Sequence, residues 1–154
     1  MTTRASKKLC TFGLAAFAVM AGGLSHAVAD DPKCNNGTLN GSYGFTLTGW
    51  RIPTPDTNIR SARAGVGRIA FDGHGNLSGA ETKSHDGLII PLTFTGTYQV
   101  FTDCTGTAHL VTTEAGEPER NFNFTIVESG EQVMAIQTDQ GRAITVIVTK
   151  QRAK

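Results

Sequence analysis

The chain lacks a long apolar run, because its longest one covers only the sixteen residues from Leu9 to Leu24 and contains three glycines. A membrane-spanning helix needs about 20 apolar residues, so no integral membrane segment is expected in the mature chain. A short basic stretch precedes this run, and the small residues Ala27 and Ala29 follow it. That order is typical of a secretory signal peptide. We therefore expect residues 1–29 to be a cleaved signal and residues 30–154 to form one domain, periplasmic or secreted by bacterial export.

Net charge is scarce as well. The predicted signal carries three of the 14 basic residues and none of the 13 acidic ones, so the mature chain has eleven basic and thirteen acidic residues and a formal charge of −2. A nearly neutral, slightly acidic domain has no electrostatic reason to bind nucleic acid or an anionic membrane. Neither is expected as a partner.

Cysteine is rare, with three in the whole chain. Cys10 lies in the predicted signal, which leaves Cys34 and Cys104 in the mature domain. An even pair in an oxidising compartment indicates a disulfide. Its loop of about 70 residues adds roughly 3–5 kcal/mol of stability in the chain-entropy model. A redox or metal pair would favour a short motif such as C-x-x-C, which is absent, so the expected bond is structural.

No helical pattern follows the predicted signal, whereas short alternating segments separated by glycines are frequent. The clearest alternations are Ser42–Thr48, Leu92–Val100, Asn121–Ile126 and Ala143–Thr149, and the weaker ones are Ala64–Asp72, Asn76–Ser84, Gly106–Thr113 and Glu131–Thr138. Most connections between them are short and contain Gly, Asn or Asp, as tight hairpins require. Eight strands joined by hairpins predict an all-β, up-and-down antiparallel barrel, which leaves no exposed edge. A β-sandwich is the alternative.

Six aromatic rings belong to these alternations and are predicted to face the interior. They are Tyr43, Phe45, Phe94, Tyr98, Phe122 and Phe124. Gly65, Gly67 and Gly79 fall on the faces of their strands that are predicted to point inward. A glycine inside a strand often marks a place where a large side chain passes close to the backbone. Either the rings fill the barrel, or the space between them stays open for a ligand. In the second case the six rings are the candidate ligand-binding residues.

Three blocks of sequence stand out around the two mature cysteines. They are Leu39-Asn40-Gly41-Ser42-Tyr43-Gly44-Phe45 after Cys34, then Phe71-Asp72-Gly73-His74-Gly75-Asn76-Leu77-Ser78-Gly79, and Gly96-Thr97-Tyr98-Gln99-Val100 before Asp103-Cys104-Thr105-Gly106-Thr107. Together they resemble a group of small exported bacterial proteins of unassigned function that repeat these blocks around two cysteines. The resemblance covers most of residues 34–107. It implies a calycin-like or allene-oxide-cyclase-like barrel and brings no activity with it.

Residues that could carry chemistry are scattered. His74 and His85 flank one predicted strand, which separates them by roughly 30 Å at 3.3 Å per residue, so no metal site is expected. The turn from Asp72 to Asn76 lacks the carboxylates and closing acid of a calcium loop and is interpreted as a hairpin turn. The sequence has no Gly-x-Ser-x-Gly motif, and no cofactor is expected.

Charged residues leave two questions open. Two of the glutamates Glu81, Glu114, Glu119 and Glu128 could meet inside a barrel, which the sequence alone does not decide. The arginines Arg63, Arg68 and Arg142 could bind an anion, although a surface location is the default expectation.

Three functions remain as hypotheses. The first is a binding module that holds a small apolar or amphipathic molecule in the barrel mouth. The alternative is a filled barrel that acts at its outer surface, on the cell envelope or on another protein. The third is a cyclase-like or isomerase-like enzyme. An interior cavity above roughly 300 Å³ would favour the first and third over the second.

Overall fold

A computed structural model describes residues 33–52, 59–116 and 119–152, so the predicted signal peptide lies outside the described residues. Eight strands follow one another in the order β1 (Asn40–Arg51), β2 (Ser61–Asp72), β3 (Asn76–His85), β4 (Leu88–Val100), β5 (Thr105–Thr112), β6 (Glu119–Val127), β7 (Gln132–Gln137) and β8 (Arg142–Lys150). Two short 3₁₀ helices, Asn36–Thr38 and Glu128–Gly130, complete the elements. All eight predicted strands are confirmed. Several extend beyond the strict alternation because their backbone ladders continue, as β1 does through Trp50 and Arg51.

The strands close into an up-and-down barrel. Each one pairs antiparallel with the next, and β8 returns to pair with β1. Closure satisfies both hydrogen-bonding edges of every strand, so the sheet has no open edge. The barrel prediction is therefore confirmed over the sandwich alternative.

Side-chain alternation decides which face of each strand is buried. In β4, Leu92, Phe94 and Tyr98 point into the barrel and are at most 5% exposed, whereas Thr93 and Thr95 point to solvent. Thr and Val favour strands because their branched side chains fit a pleated surface. The interior therefore collects the aromatic and aliphatic residues, and the outer surface is rich in threonine.

Three of the inward rings lie directly across from a glycine on the neighbouring strand. Phe45 pairs with Gly67, and Phe94 pairs with Gly79. A methyl group added at Gly67 would lie 2.5 Å from Cζ of Phe45, and one at Gly79 would overlap Phe94. The rings occupy the space that a side chain would need. The third ring, Phe124, lies across from Gly106 in the same way.

The two ends of the barrel differ in chemistry. We call one the disulfide end, because Cys34 and Cys104 are bonded there with 4.9 Å between their Cα atoms. The backbone N–H of Cys34 also donates to the carbonyl of Thr102, at 3.3 Å. The bond thus joins the start of the barrel to the β4–β5 turn, as predicted. The opposite end, where β1, β3, β5 and β7 finish, we call the charged end.

Candidate ligand cavity and the ionic network beside it

All six predicted ring residues face the interior and are at most 9% exposed. Tyr43 and Tyr98 lie toward the disulfide end, where each stacks edge-on against Phe71 with centroids 5.2 and 5.1 Å apart. The Tyr98 hydroxyl donates to the carbonyl of Leu39 at 2.9 Å, and the Tyr43 hydroxyl donates to the carbonyl of Gly130 at the same distance. Burial raises the pKa of both tyrosines. These two residues close the disulfide end of the barrel.

A cavity of about 70 Å³ remains inside the barrel, and the other four predicted rings border it. They are Phe45, Phe94, Phe122 and Phe124. Leu39, which is fully buried, closes the cavity toward the disulfide end. This volume is below the roughly 300 Å³ that would favour a ligand site, so size alone favours the filled barrel; an apolar cavity of about 150 Å³ accepts benzene. The space here suits a slender molecule of a few heavy atoms, or the narrow end of a larger one.

Two charged side chains line the charged-end side of this cavity, and both belong to an ionic network. Arg120 donates from Nη1 to Glu81 Oε2 at 2.9 Å and from Nη2 to Glu114 Oε2 at 2.7 Å. Lys83 also pairs with the Glu114 carboxylate. All four side chains are at most 9% exposed. Buried charges are costly unless they are paired and hydrogen-bonded, and this network meets that requirement for most of its atoms.

The network and its burial shift the pKa values of three of its members. Burial acts to raise the pKa of Glu114, but hydrogen bonds from Lys83 and Arg120 outweigh it and lower that pKa. Burial acts to lower the pKa of Arg120, and the Glu81 and Glu114 carboxylates raise it instead. Burial lowers the pKa of Lys83, helped by the positive charges of Arg120 and Arg63. The contacts of Glu114 and Arg120 therefore favour their charged forms, whereas burial opposes the charge of Lys83.

One atom of the network has no hydrogen-bond partner among the described residues: Oε1 of Glu81. The Glu81 side chain is only 1% exposed and lines the cavity. A Cβ atom at Gly65 would lie 2.7 Å from this oxygen, so the carboxylate packs against the bare backbone of the glycine. A buried acceptor without a donor costs about 1–3 kcal/mol. Such an atom therefore calls for a donor that is not part of the described protein.

The structure answers both questions that the charged residues left open. Glu81 and Glu114 do meet inside the barrel, through Arg120, which the sequence analysis did not single out. The expected surface location of Arg63 is wrong, since that side chain is buried at 3% exposure. Arg68 does lie on the outer face, where it donates to the Ser42 hydroxyl at 2.8 Å.

A signal for the buried charges was present in the strand alternation. Arg63 shares its strand face with Ile69 and Phe71, and Glu81 shares its face with Leu77. Alternation therefore pointed inward at these positions, against the usual preference of charged groups for water. Alternation did not identify the partner of Glu81, because Arg120 lies on another strand, β6.

The other candidate residues are occupied in turns or lie on the outer surface. Asp72 accepts hydrogen bonds from the backbone of His74 and from the backbone and side chain of Asn76, which together lower its pKa to about 2. The predicted hairpin turn is confirmed. His109 contacts Asn121 on the outer surface. Among residues 33–52, 59–116 and 119–152, no three His, Cys, Asp or Glu side chains are grouped as a metal would require.

Comparisons with known proteins identify the fold. No family model and no curated protein matches the chain. A solved structure described as a redesigned β-barrel matches with a TM-score of 0.52 and 18% identity, covering 76% of this chain and 95% of the other. At that identity the likeness supports the barrel fold alone. In the described part of the chain, no helix has the length and apolar content to span a bilayer.

Proposed function

We propose that this protein is a binding module for a small apolar or amphipathic molecule held inside the barrel. The cavity of about 70 Å³ is smaller than the size that favours a ligand site, and the observation that carries the proposal is its lining, which is apolar except for Glu81 and Arg120 at one side. An apolar pocket with a few convergent polar groups is the usual form of a small-molecule site. In this proposal the four phenylalanines that border the cavity contact the apolar part of the ligand.

The same volume sets the size of the ligand. Since 70 Å³ is about half of the space that accepts benzene, a compact molecule of a few heavy atoms fits without rearrangement. A larger amphipathic molecule would have to insert a narrow end. The rings bordering the cavity are tightly packed against glycines, as at Phe94 and Gly79, so little further expansion is available on that side.

Location outside the cytoplasm belongs to the same proposal. The disulfide between Cys34 and Cys104 fits an oxidising compartment. The basic and apolar pattern of residues 1–29 and the resemblance to small exported bacterial proteins with two cysteines support export. We therefore place the binding module in the periplasm or in the medium.

A second candidate is a filled barrel that acts at its outer surface, on the cell envelope or on another protein. The observation that favours it is an apolar patch on the outside of the barrel. Met134 and Ile147 are direct cross-strand neighbours there, 49% and 47% exposed, and Ile136 and Phe101 extend the patch. Exposed apolar patches often mark contact sites.

A titration with 1-butanol separates the two candidates. In methyl NMR spectra, the binding proposal predicts saturable shifts of Leu47, Val146 and Val148, which line the cavity, and none of Val66, which faces solvent. If the cavity methyls stay unchanged up to the solubility limit of the alcohol, the binding proposal is wrong and the filled barrel is favoured.

A matched pair of variants controls for nonspecific effects of the alcohol. Ala135→Leu extends a side chain that lines the cavity, whereas Ala143→Leu extends one on the outer face of the barrel. Binding should be lost in the first variant and kept in the second. Equal binding by both variants would mean that the alcohol binds outside the cavity.

A further inference from the structure

From the lone Glu81 oxygen, we infer that the ligand of the cavity carries a neutral hydroxyl group, which donates its hydrogen bond to Glu81 Oε1. The inference rests on the proposed function and specifies the chemical class of the ligand. It starts from one asymmetry in the carboxylate: Oε2 accepts from Arg120 at 2.9 Å, whereas Oε1 has no partner among the described residues.

The lone oxygen is a recognition point because it is both buried and charged. A hydrogen bond to a charged group is worth roughly twice one between neutral groups. Its donor must come from inside the cavity, because the Glu81 side chain is 1% exposed and bulk water does not reach it. A hydroxyl group supplies one donor and leaves the rest of the molecule apolar, which matches the apolar lining.

A cationic donor is disfavoured by its surroundings. An ammonium group beside Oε1 would lie close to Arg120, and Lys83 and Arg63 contribute further positive charge in the same region. The network already places Arg120 against Glu81, so a second cation would meet repulsion and would lose its own hydration. A neutral donor avoids both costs.

An anionic ligand is disfavoured for the opposite reason. A carboxylate has only acceptor atoms, so it would face the Glu81 oxygen without a proton between them. Ethers and ketones are neutral, but they also lack a hydrogen-bond donor and can only accept. The site should therefore discriminate between two molecules of equal size that differ only in a hydroxyl proton.

Gly65 leaves room for the Glu81 carboxylate itself. A Cβ atom there would lie 2.7 Å from Glu81 Oε1 and 3.2 Å from Cγ of Leu47. A side chain at this position would therefore displace the lone oxygen, so the glycine keeps this acceptor in place beside the cavity.

The test compares two isomers, 1-butanol and diethyl ether, which have the same atoms and differ in the hydroxyl proton. We expect 1-butanol to bind the full mature protein at least about tenfold more tightly than the ether, as one hydrogen bond to a charged group implies. Binding is measured by the same cavity methyl shifts. n-Butylamine, charged at neutral pH, should bind more weakly than the alcohol.

Two variants show whether Glu81 is responsible. In Glu81→Gln the amide oxygen can accept from Arg120, which turns the amide NH₂ toward the position of Oε1 and replaces an acceptor by a donor. The preference for 1-butanol over diethyl ether should then disappear. Glu119→Gln, which removes an exposed carboxylate on the outer face of β6, should leave the preference unchanged.

The outcomes separate the inference from the proposal on which it rests. Equal binding of alcohol and ether by the natural protein overturns the inference and leaves the binding function standing. Failure of both isomers to bind, with water alone beside Oε1, overturns both. If Glu81→Gln does not fold, Gly65→Ala provides the second variant. It should weaken binding of the alcohol more than binding of the ether. An equal loss of binding for both molecules contradicts the assignment of the hydroxyl to Glu81.

Discussion

Replacing Arg120 by methionine should remove the cation that pairs two buried carboxylates. Glu81 and Glu114 lie 2.9 and 2.7 Å from its nitrogens, and their side chains are 1% and 9% exposed. Glu114 retains Lys83, but Glu81 is left without a cation in hydrogen-bonding contact among the described residues. Removing one partner of a buried ion pair typically costs about 3–5 kcal/mol. With a denaturant slope near 2 kcal/mol per molar, the urea midpoint should fall by roughly 2 M.

The cost of Arg120→Met should depend on pH. In the natural protein the pKa of Glu114 lies below its ordinary value of 4.5, so the network stabilises the fold above that pH and loses this contribution as the pH falls through the lowered pKa. In the variant, Glu114 loses the hydrogen bond from Arg120 that helps to lower its pKa, so less of this contribution remains. The difference in unfolding free energy should therefore be largest near pH 7 and narrow below about pH 4.5.

Two controls accompany the Arg120 measurement. Arg152→Met removes an ion pair with Glu131 whose arginine side chain is 80% exposed, and it should cost less than about 1 kcal/mol. Adding Glu81→Gln to Arg120→Met should recover part of the loss, because no charge then remains buried without its partner. A loss below 1 kcal/mol for Arg120→Met, or one that does not change with pH, would refute the buried network as described.

Three further predictions concern packing, the disulfide and processing. Phe94→Ala should lower the free energy of unfolding by about 3–5 kcal/mol, whereas Phe101→Ala, at a ring 42% exposed, should cost less than about 1 kcal/mol; equal losses in urea denaturation would contradict the inward placement. Thiol labelling of the denatured, unreduced protein should find Cys34 and Cys104 blocked, and reduction should cost roughly 3–5 kcal/mol; two free thiols would contradict the pairing. Mass spectrometry of the exported protein should find Asp30 as its first residue, and an intact N-terminus would exclude cleavage after Ala29.

The barrel could be predicted because its determinants are local. Alternation within each strand, such as Leu92–Val100, depends only on neighbouring residues, and short Gly-containing turns restrict each strand to pairing with the next. Counting cysteines after the predicted signal was enough to pair Cys34 with Cys104. The inward direction of the six rings followed from the same alternation.

The ionic network could not be assembled from the sequence, because its members meet only after the barrel closes. Glu81 lies on β3, Arg120 lies on β6, and Glu114 lies in the connection between β5 and β6. Their distances depend on the register of every strand pair between them. For Arg63 two sequence signals disagreed. The general preference of arginine for water favoured the surface, whereas its position in the strand alternation favoured the interior, where the structure places it.

Cavity volume was equally beyond the sequence. Six inward rings and several inward glycines are compatible with a filled interior and with an open one. The outcome depends on how each ring packs against its opposite glycine, as Phe45 does with Gly67. Differences of a fraction of an ångström in such contacts decide whether 70 Å³ remains or none.

The most direct test of the account is a high-resolution crystal structure of the mature protein soaked in 1-butanol. The alcohol should lie inside the barrel, with its carbon chain among Phe94, Phe122 and Phe124 and its oxygen within about 2.5–3.0 Å of Glu81 Oε1. A cavity that holds only water, or one from which the alcohol is absent while it occupies the outer patch at Met134, would contradict the proposed binding function.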